Sequence, residues 1–365
     1  MPSSLRTIVA ACGLLCLVTG AQAQSASTGN VKLYGLIDVS AGRFQGIGGN
    51  RIYAVNSGDM TTSYLGFSGN EDLGGGLRAR FALEAFNRTD TGTAGRFPGD
   101  AFFARNAFVG LSGAFGTTDI GRTTTTLFVS TLLFNAFGDS FTFSPSIRQY
   151  FINPLAVSVP GSRSQVIGDT GWNNSLQYAS PKYGDFNFNF MINAGEGSAS
   201  AVGRNVGGNA FYGNGKFGAT VAFQQVKNQS GGPLPSGFTK QDTYQLGASY
   251  DFTFAKLFAQ YGQVRTFSTD AAVDARARIS GIGAAVPVPG TLGKVLVQYG
   301  YSRTTGNFAP ATWKDASVGY DYNLSKNTDI YAVYMHERTT AGLGTITPGF
   351  AGSSNSVAGG IRLRF

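Results

Sequence analysis

Cysteine is absent beyond Cys16, histidine occurs once, at His336, and tryptophan only twice. One imidazole and no later thiol supply neither the ligands of a tetrahedral metal site nor a convincing nucleophile–base pair, so no metal, cofactor or hydrolase centre is expected. Gly-x-Ser-x-Gly is missing. Gly281-Ile282-Gly283 has a nucleotide-loop look, but Pro287 and Pro289 follow where the required helix would start. No stretch after Gln24 offers about 18 continuous apolar residues, which excludes membrane-spanning helices. No Pro-rich linker, charge block or shift in composition divides the chain into domains.

What is abundant is glycine, phenylalanine and tyrosine, at 52, 29 and 16 residues. All three are poor helix formers, and the aromatics favour strands. The first 23 residues stand apart. Arg6 precedes an apolar run from Ile8 to Val18 and the small-residue site Ala21-Gln22-Ala23, which reads as a secretory signal cleaved before Gln24. Residues 1–23 are therefore expected to be lost and 24–365 to form one domain. The formal charge of +8 falls to +7 without Arg6. Basic residues are scattered singly along the chain, which argues against a nucleic-acid surface and fits a mildly positive interior field.

Period-two alternation dominates the remainder. In 31–40, Val31, Leu33, Ile37 and Val39 fall on one face and Lys32, Tyr34, Asp38 and Ser40 on the other. In 77–87, Arg78, Arg80 and Glu84 interleave with Leu77, Ala79, Phe81 and Leu83, so one face must be wet. Similar segments recur to Phe365, about 16 in all, joined alternately by short turns and longer Gly/Ser/Thr/Pro loops. An apolar exterior, a polar interior and loops of alternating length predict a closed transmembrane antiparallel β-barrel. The rhythm lapses only from Thr123 to Gly171, a length of chain that is uncommon without a functional purpose. It is expected to fold inward and set the width and charge of a pore.

Val31-Lys32-Leu33-Tyr34-Gly35-Leu36-Ile37-Asp38, Leu65 to Leu77 (LGFSGNEDLGGGL), Ala107 to Gly113, Phe115-Gly116-Thr117 with Gly121-Arg122, Asn174 to Pro181 and the final Gly360 to Phe365 resemble, in order and spacing, the general porins of Gram-negative bacteria, the family typical of β-proteobacteria. The resemblance implies a 16-stranded barrel in the outer membrane, exported through the Sec pathway. It implies a homotrimer that passes ions and small hydrophilic solutes by passive diffusion and meets outer-membrane lipid and lipopolysaccharide. Its third external loop, 123–171 here, would fold inward as the constriction. Phe365 is similar to the terminal signal read by the barrel-assembly machinery.

By the same resemblance Arg122, Arg78, Arg80 and Arg163 are candidates for the basic wall of the constriction, and Asp139, in Phe137-Gly138-Asp139, for its acidic loop residue. Ala136 stands where a carboxylate is common, and Asp139 is the sole acid between Thr123 and Asn153. That favours weak anion preference. A solute-specific channel, a barrel enzyme relying on His336, and a plugged adhesin are the competing readings.

Overall fold

The computed structural model describes residues 30–152, 166–194, 204–227, 237–269, 274–306, 311–340 and 351–365. The expected signal segment, with Ala21 and Ala23, and Arg163 lie outside them. The first part of the wall comprises β1 (Asn30–Gln45), β2 (Arg51–Ser57), β3 (Tyr64–Gly74), β4 (Leu77–Arg88), β5 (Thr93–Ala94), β6 (Asn106–Gly113) and β7 (Gly116–Thr124). Two helices follow, α1 (Thr126–Leu133) and α2 (Pro145–Phe151). The wall then resumes with β8 (Gly171–Ala179), β9 (Phe186–Asn193), β10 (Asn205–Gly213), β11 (Phe217–Val226), β12 (Phe238–Asp251) and β13 (Lys256–Ser268). It ends with β14 (Ala275–Pro287), β15 (Gly293–Gly306), β16 (Ala311–Asn323), β17 (Thr328–Thr340) and β18 (Gly352–Arg364).

All pairings are antiparallel, and β18 returns to β1, with Leu36 opposite Arg364 and Arg43 opposite Val357. Sixteen staves close the barrel. The first half of β1 pairs with β3 and the second half with β2, so those two strands are one stave interrupted at residues 58–63. The two-residue β5 pairs only with β4, as a ribbon of the following loop. Closure leaves no sheet edge to be satisfied by lipid.

The burial pattern inverts that of a soluble protein. Along β17, Ile330 and Tyr334 are exposed while Asp329 and Glu337 are buried. Apolar side chains face outward, where lipid replaces water, and polar ones face the lumen. The segment after β7 lies against that polar inner face. Thr125 caps α1 by accepting from Phe128 N, and Ser144, followed by Pro145 at the first helical position, caps α2 by accepting from Ile147 N. Asn209 donates to Thr126 O at 2.7 Å, and Gln260 donates to Thr131 O and Phe134 O at 2.8 and 2.7 Å. Gln298 donates to Ser146 Oγ at 2.6 Å, and Gln149 to Asp315 Oδ1 at 2.8 Å. Gln260 lies between the outward Ala259 and Tyr261, and Gln298 between the outward Val297 and Tyr299.

Leu127, Ile147 and Tyr150 are buried with Val264, Ala277 and Ile279 in one apolar cluster. Burying such side chains contributes roughly 1.5–3 kcal/mol apiece, and each hydrogen bond about 1 kcal/mol. The helices are thereby fixed to the inner wall.

Candidate functional site

The loop between α1 and α2 ends in a tip whose shape is set locally. Asn135 Oδ1 accepts from Phe137 N and from Ser144 Oγ, both at 2.9 Å, and its Nδ2 donates to Gly138 O at 2.8 Å. Gly138 has φ +56°, a left-handed conformation that glycine adopts without strain. The turn drives Phe137 into a cluster with Met60, Phe143, Leu296, Tyr331, Val333 and Met335.

The break in the second stave receives this tip. Freed from the ladder, Met60 N and Thr61 N both donate to Asp38 Oδ2 at 2.7 Å, and Tyr331 donates to Asp38 Oδ1 at 2.6 Å. Ser140 donates to Asp59 O at 2.6 Å, Thr142 to Asp59 Oδ1 at 2.7 Å, and Ser40 also bonds the Asp59 carboxylate. Thr61 donates to Asp139 Oδ1 at 3.1 Å and accepts from Arg362 at 3.2 Å. Burial pushes the Asp139 carboxyl above its ordinary range, against the opposing pull of the Thr61 hydrogen bond, Arg105 and Arg362.

Around the tip is a recess of about 280 Å³ lined by residues 135–139 together with Lys294, Asp321, Arg362 and Arg364. A second, of about 470 Å³, is lined by Lys32, Tyr34, Arg78, Arg80, Glu84 and Asn106 among others. Arg78 and Arg80 are thus placed together on the lumen wall. Arg80 lies 3.4 Å from Asp119 and over the Phe108 ring. Arg105 pairs with Glu84, which also accepts from Tyr34 at 2.6 Å.

Arg122 departs from expectation. Its register partner is Ala107, and it shares the parity of Ile120 and Val109, both exposed on the outer face. The guanidinium donates to Ala104 O at 2.5 Å, Gly171 O at 3.1 Å, Asn173 Oδ1 at 2.7 Å and Asp169 Oδ2 at 2.7 Å. These bonds tie Arg122 to the base of the loop, at the register shift between Gly121 and Thr123 in the pairing of β7 with β8. Arg96 holds the other side of the Asp169 carboxylate at 2.8 Å. Burial alone would raise the Asp169 carboxyl, but Arg96 and Arg122 hold it below its usual range.

Phe365 extends the closing pair: Gly35 N donates to Phe365 O at 3.1 Å, and Phe365 N to Gly35 O at 3.2 Å. His336 lies on the outward parity of β17, its Nδ1 2.9 Å from Asn355 Oδ1. Lys294, Arg362, Arg364 and Arg105 were not singled out as site residues, although the wet parity of Arg362 and Arg364 is legible in the final strand. Asp59 and Met60 carried no such signal, since their role depends on a break in the stave.

The model of the Gram-negative porins matches residues 10–342. Outer membrane porin protein 32 of Delftia acidovorans is 32% identical over 95% of this chain and 97% of its own length. An outer membrane porin of Bordetella pertussis is 26% identical over 99% of this chain and its whole length. The solved anion-selective porin from Comamonas acidovorans superposes with a TM-score of 0.74 at 29% identity, covering 92% of this chain and all of that one. With its closed sixteen-stave wall, polar lumen and apolar exterior, the chain belongs to the Gram-negative porin family and forms a channel for passive diffusion across the outer membrane.

Proposed function

We propose that this porin is weakly anion-preferring, with residues 123–171 as its constriction. The carrying observation is an asymmetry within the lumen's ion pairs. Lys294 and Arg364 each keep 43% of their side-chain surface exposed, while their partners Asp321 and Asp329 keep 4% and 2%. Arg80 with Asp119 and Arg105 with Glu84 repeat the pattern. Asp321 and Asp329 are also bonded by Arg362, so that three cations share two acids there, and in each of these pairs the head in contact with water is the cation. A permeating ion therefore meets a positive surface, with Arg78 and Lys32 adding to it. The anion selectivity of the Comamonas porin is in keeping with this. In this reading Asp139 serves to dock the tip and Arg122 to hold the loop's base.

The functional form proposed is a homotrimer, with Phe365 as the signal for the assembly machinery, residues 1–23 as the export signal and lipopolysaccharide as the outer-leaflet neighbour. The test is single-channel recording in a planar bilayer, with the reversal potential taken across a KCl gradient. Steps closing in threes with a chloride-favouring potential are expected. A potassium-favouring potential refutes the polarity, and no conductance from folded protein refutes an open lumen.

A further inference from the structure

Phe108 is out of place on its strand. Val109 and Leu111 are exposed on the outer face, so Phe108 shares the lumen parity of Asn106 and Ser112. Its ring joins none of the apolar clusters formed among the described residues. What the ring meets is the Arg80 guanidinium, 5.0 Å from its centroid. A phenylalanine on the wet side of a stave gains neither lipid contact nor core packing.

The register shows what surrounds it. One row across β1, β3, β4 and β6 runs Lys32, Ser68, Ala82, Phe108. Three strand spacings, roughly 14 Å, separate its ends. Only a serine and an alanine stand between the lysine and the ring, so the wall is dished there. The next row runs Asn70, Arg80, Gly110, Asp119. A Cβ on Gly110 would collide with the Asp119 carboxylate, so glycine here lets Asp119 approach Arg80 to 3.4 Å. Nearer the short turn lies Arg78, opposite Ser112. These rows line the recess of about 470 Å³, a size at which pockets hold a small organic ligand. Lys32 precedes Asp38 on β1, and Asp38 holds the break that receives the tip, so the recess lies on the short-turn side of the tip.

Charge divides the recess. Arg80 is committed to Asp119 and to the ring. Lys32 and Arg78 are exposed, and among the described residues no carboxylate pairs with either. Asp72, opposite Arg78, accepts instead from Gly74 N at 2.9 Å. At the far end Glu84 gathers Tyr34, Arg105 and Asn106. An entering anion is repelled by Glu84 and drawn to Lys32 and Arg78.

We propose that this recess is a subsite for aromatic monocarboxylates of the benzoate class. The ligand's ring stacks on the platform of Phe108 and Arg80, where ring and guanidinium both attract a second π face. Its carboxylate takes charge-assisted hydrogen bonds from Lys32 and Arg78. An aliphatic acid of equal charge gains only the second set of contacts, and a neutral aromatic only the first. The subsite thereby supplies a preference among solutes that a positive lumen alone does not. The inference rests on the open lumen of the proposed channel but not on the polarity of its constriction.

The test uses the full-length folded protein in detergent, with the fluorine NMR signal of para-fluorobenzoate as probe and protein-free micelles as the blank. Benzoate, cyclohexanecarboxylate and benzyl alcohol compete for the site. Benzoate should displace the probe at about fivefold lower concentration than either of the others. Phe108→Leu should cut the preference over cyclohexanecarboxylate below about twofold, while Phe108→Tyr, which keeps a π face, should retain it. Lys32→Gln with Arg78→Gln should weaken both acids by about tenfold and leave the ratio between them. Should a variant fail to fold, judged by heat-modifiability, the parent's own order of competitors decides.

A probe signal not broadened beyond the blank, or equal displacement by cyclohexanecarboxylate or benzyl alcohol, overturns the proposal. So does a preference that survives Phe108→Leu, or benzoate binding untouched by the Lys32 and Arg78 substitutions. Reversal potentials on the same protein keep the two readings apart. A potassium-favouring potential with the benzoate preference intact faults the polarity and leaves the subsite standing. A chloride-favouring potential without that preference sinks the subsite alone.

Discussion

Arg122 and Lys294 are both basic residues near the loop, yet they have different consequences because their surroundings differ. Arg122 spends four hydrogen bonds on the base of the loop. Arg122→Ala should leave the reversal potential unchanged while destabilising the docked loop by about 1–3 kcal/mol, since Asp169 is left with Arg96 alone. Limited proteolysis of the folded variant measures that loss, and a shifted reversal potential would return Arg122 to the lumen.

Lys294 and Arg364, exposed beside buried carboxylates, should respond in the opposite way. Lys294→Glu with Arg364→Glu should move the permeability ratio toward cations by about fivefold, on the order of 1 kcal/mol for charges reversed near a hydrated ion. The shift should shrink at molar salt, where screening is tight. Asp139 supplies the pH dependence. Its carboxyl is raised in the folded state, so docking is strongest where it is protonated and weakens as pH rises through the raised value. The base behaves conversely: Asp169 is lowered, and its contribution fades only as pH falls through that lowered value, under acid conditions. Acidification through the raised Asp139 value that stops short of the lowered Asp169 value should therefore quieten conductance noise from the tip without loosening the base.

At the scale of elements, the tip and the interrupted stave form one joint. Phe137→Ala removes a buried ring from the cluster around Met60 and Leu296, at a cost of about 3–5 kcal/mol, enough to release the tip. Single-channel conductance should rise and become noisy, and an unchanged quiet conductance would show that the tip does not limit the bore. Most of the wall was legible in the sequence, because a stave wet on one side and in lipid on the other must alternate. The two helices were not. They are packed on several sides inside the lumen, so no polar face advertises them, although the Thr125 cap and the Ser144-Pro145 start were visible. β2 escaped because it is half a stave, and six residues of irregular chain hide its continuity with β3. The surroundings of Arg122 are not legible from motif position, because they depend on a register shift between Gly121 and Thr123 and on the return of the loop at Asp169 to Asn173.

At the scale of the whole molecule, the seam joining the first and last strands lies beside the tip of the loop. Asp38 in β1 bonds Tyr331 in β17, while Arg362 in β18 reaches Asp329, Asp321 and Thr61 of the break. Deleting Phe365 takes away the two terminal hydrogen bonds to Gly35 and the proposed assembly signal. Heat-modifiable protein should then be scarcer in outer membranes while the conductance of molecules that do fold stays unchanged. A deeper truncation has a different meaning. Without β18 the receptor for Thr61 and Asp139 is incomplete, so the aperture loses its stop at the moment the cylinder loses its last plank. The bolt that narrows the passage is thrown only when the door frame is whole, and a half-built copy would betray itself as a leak rather than pass as a finished pore.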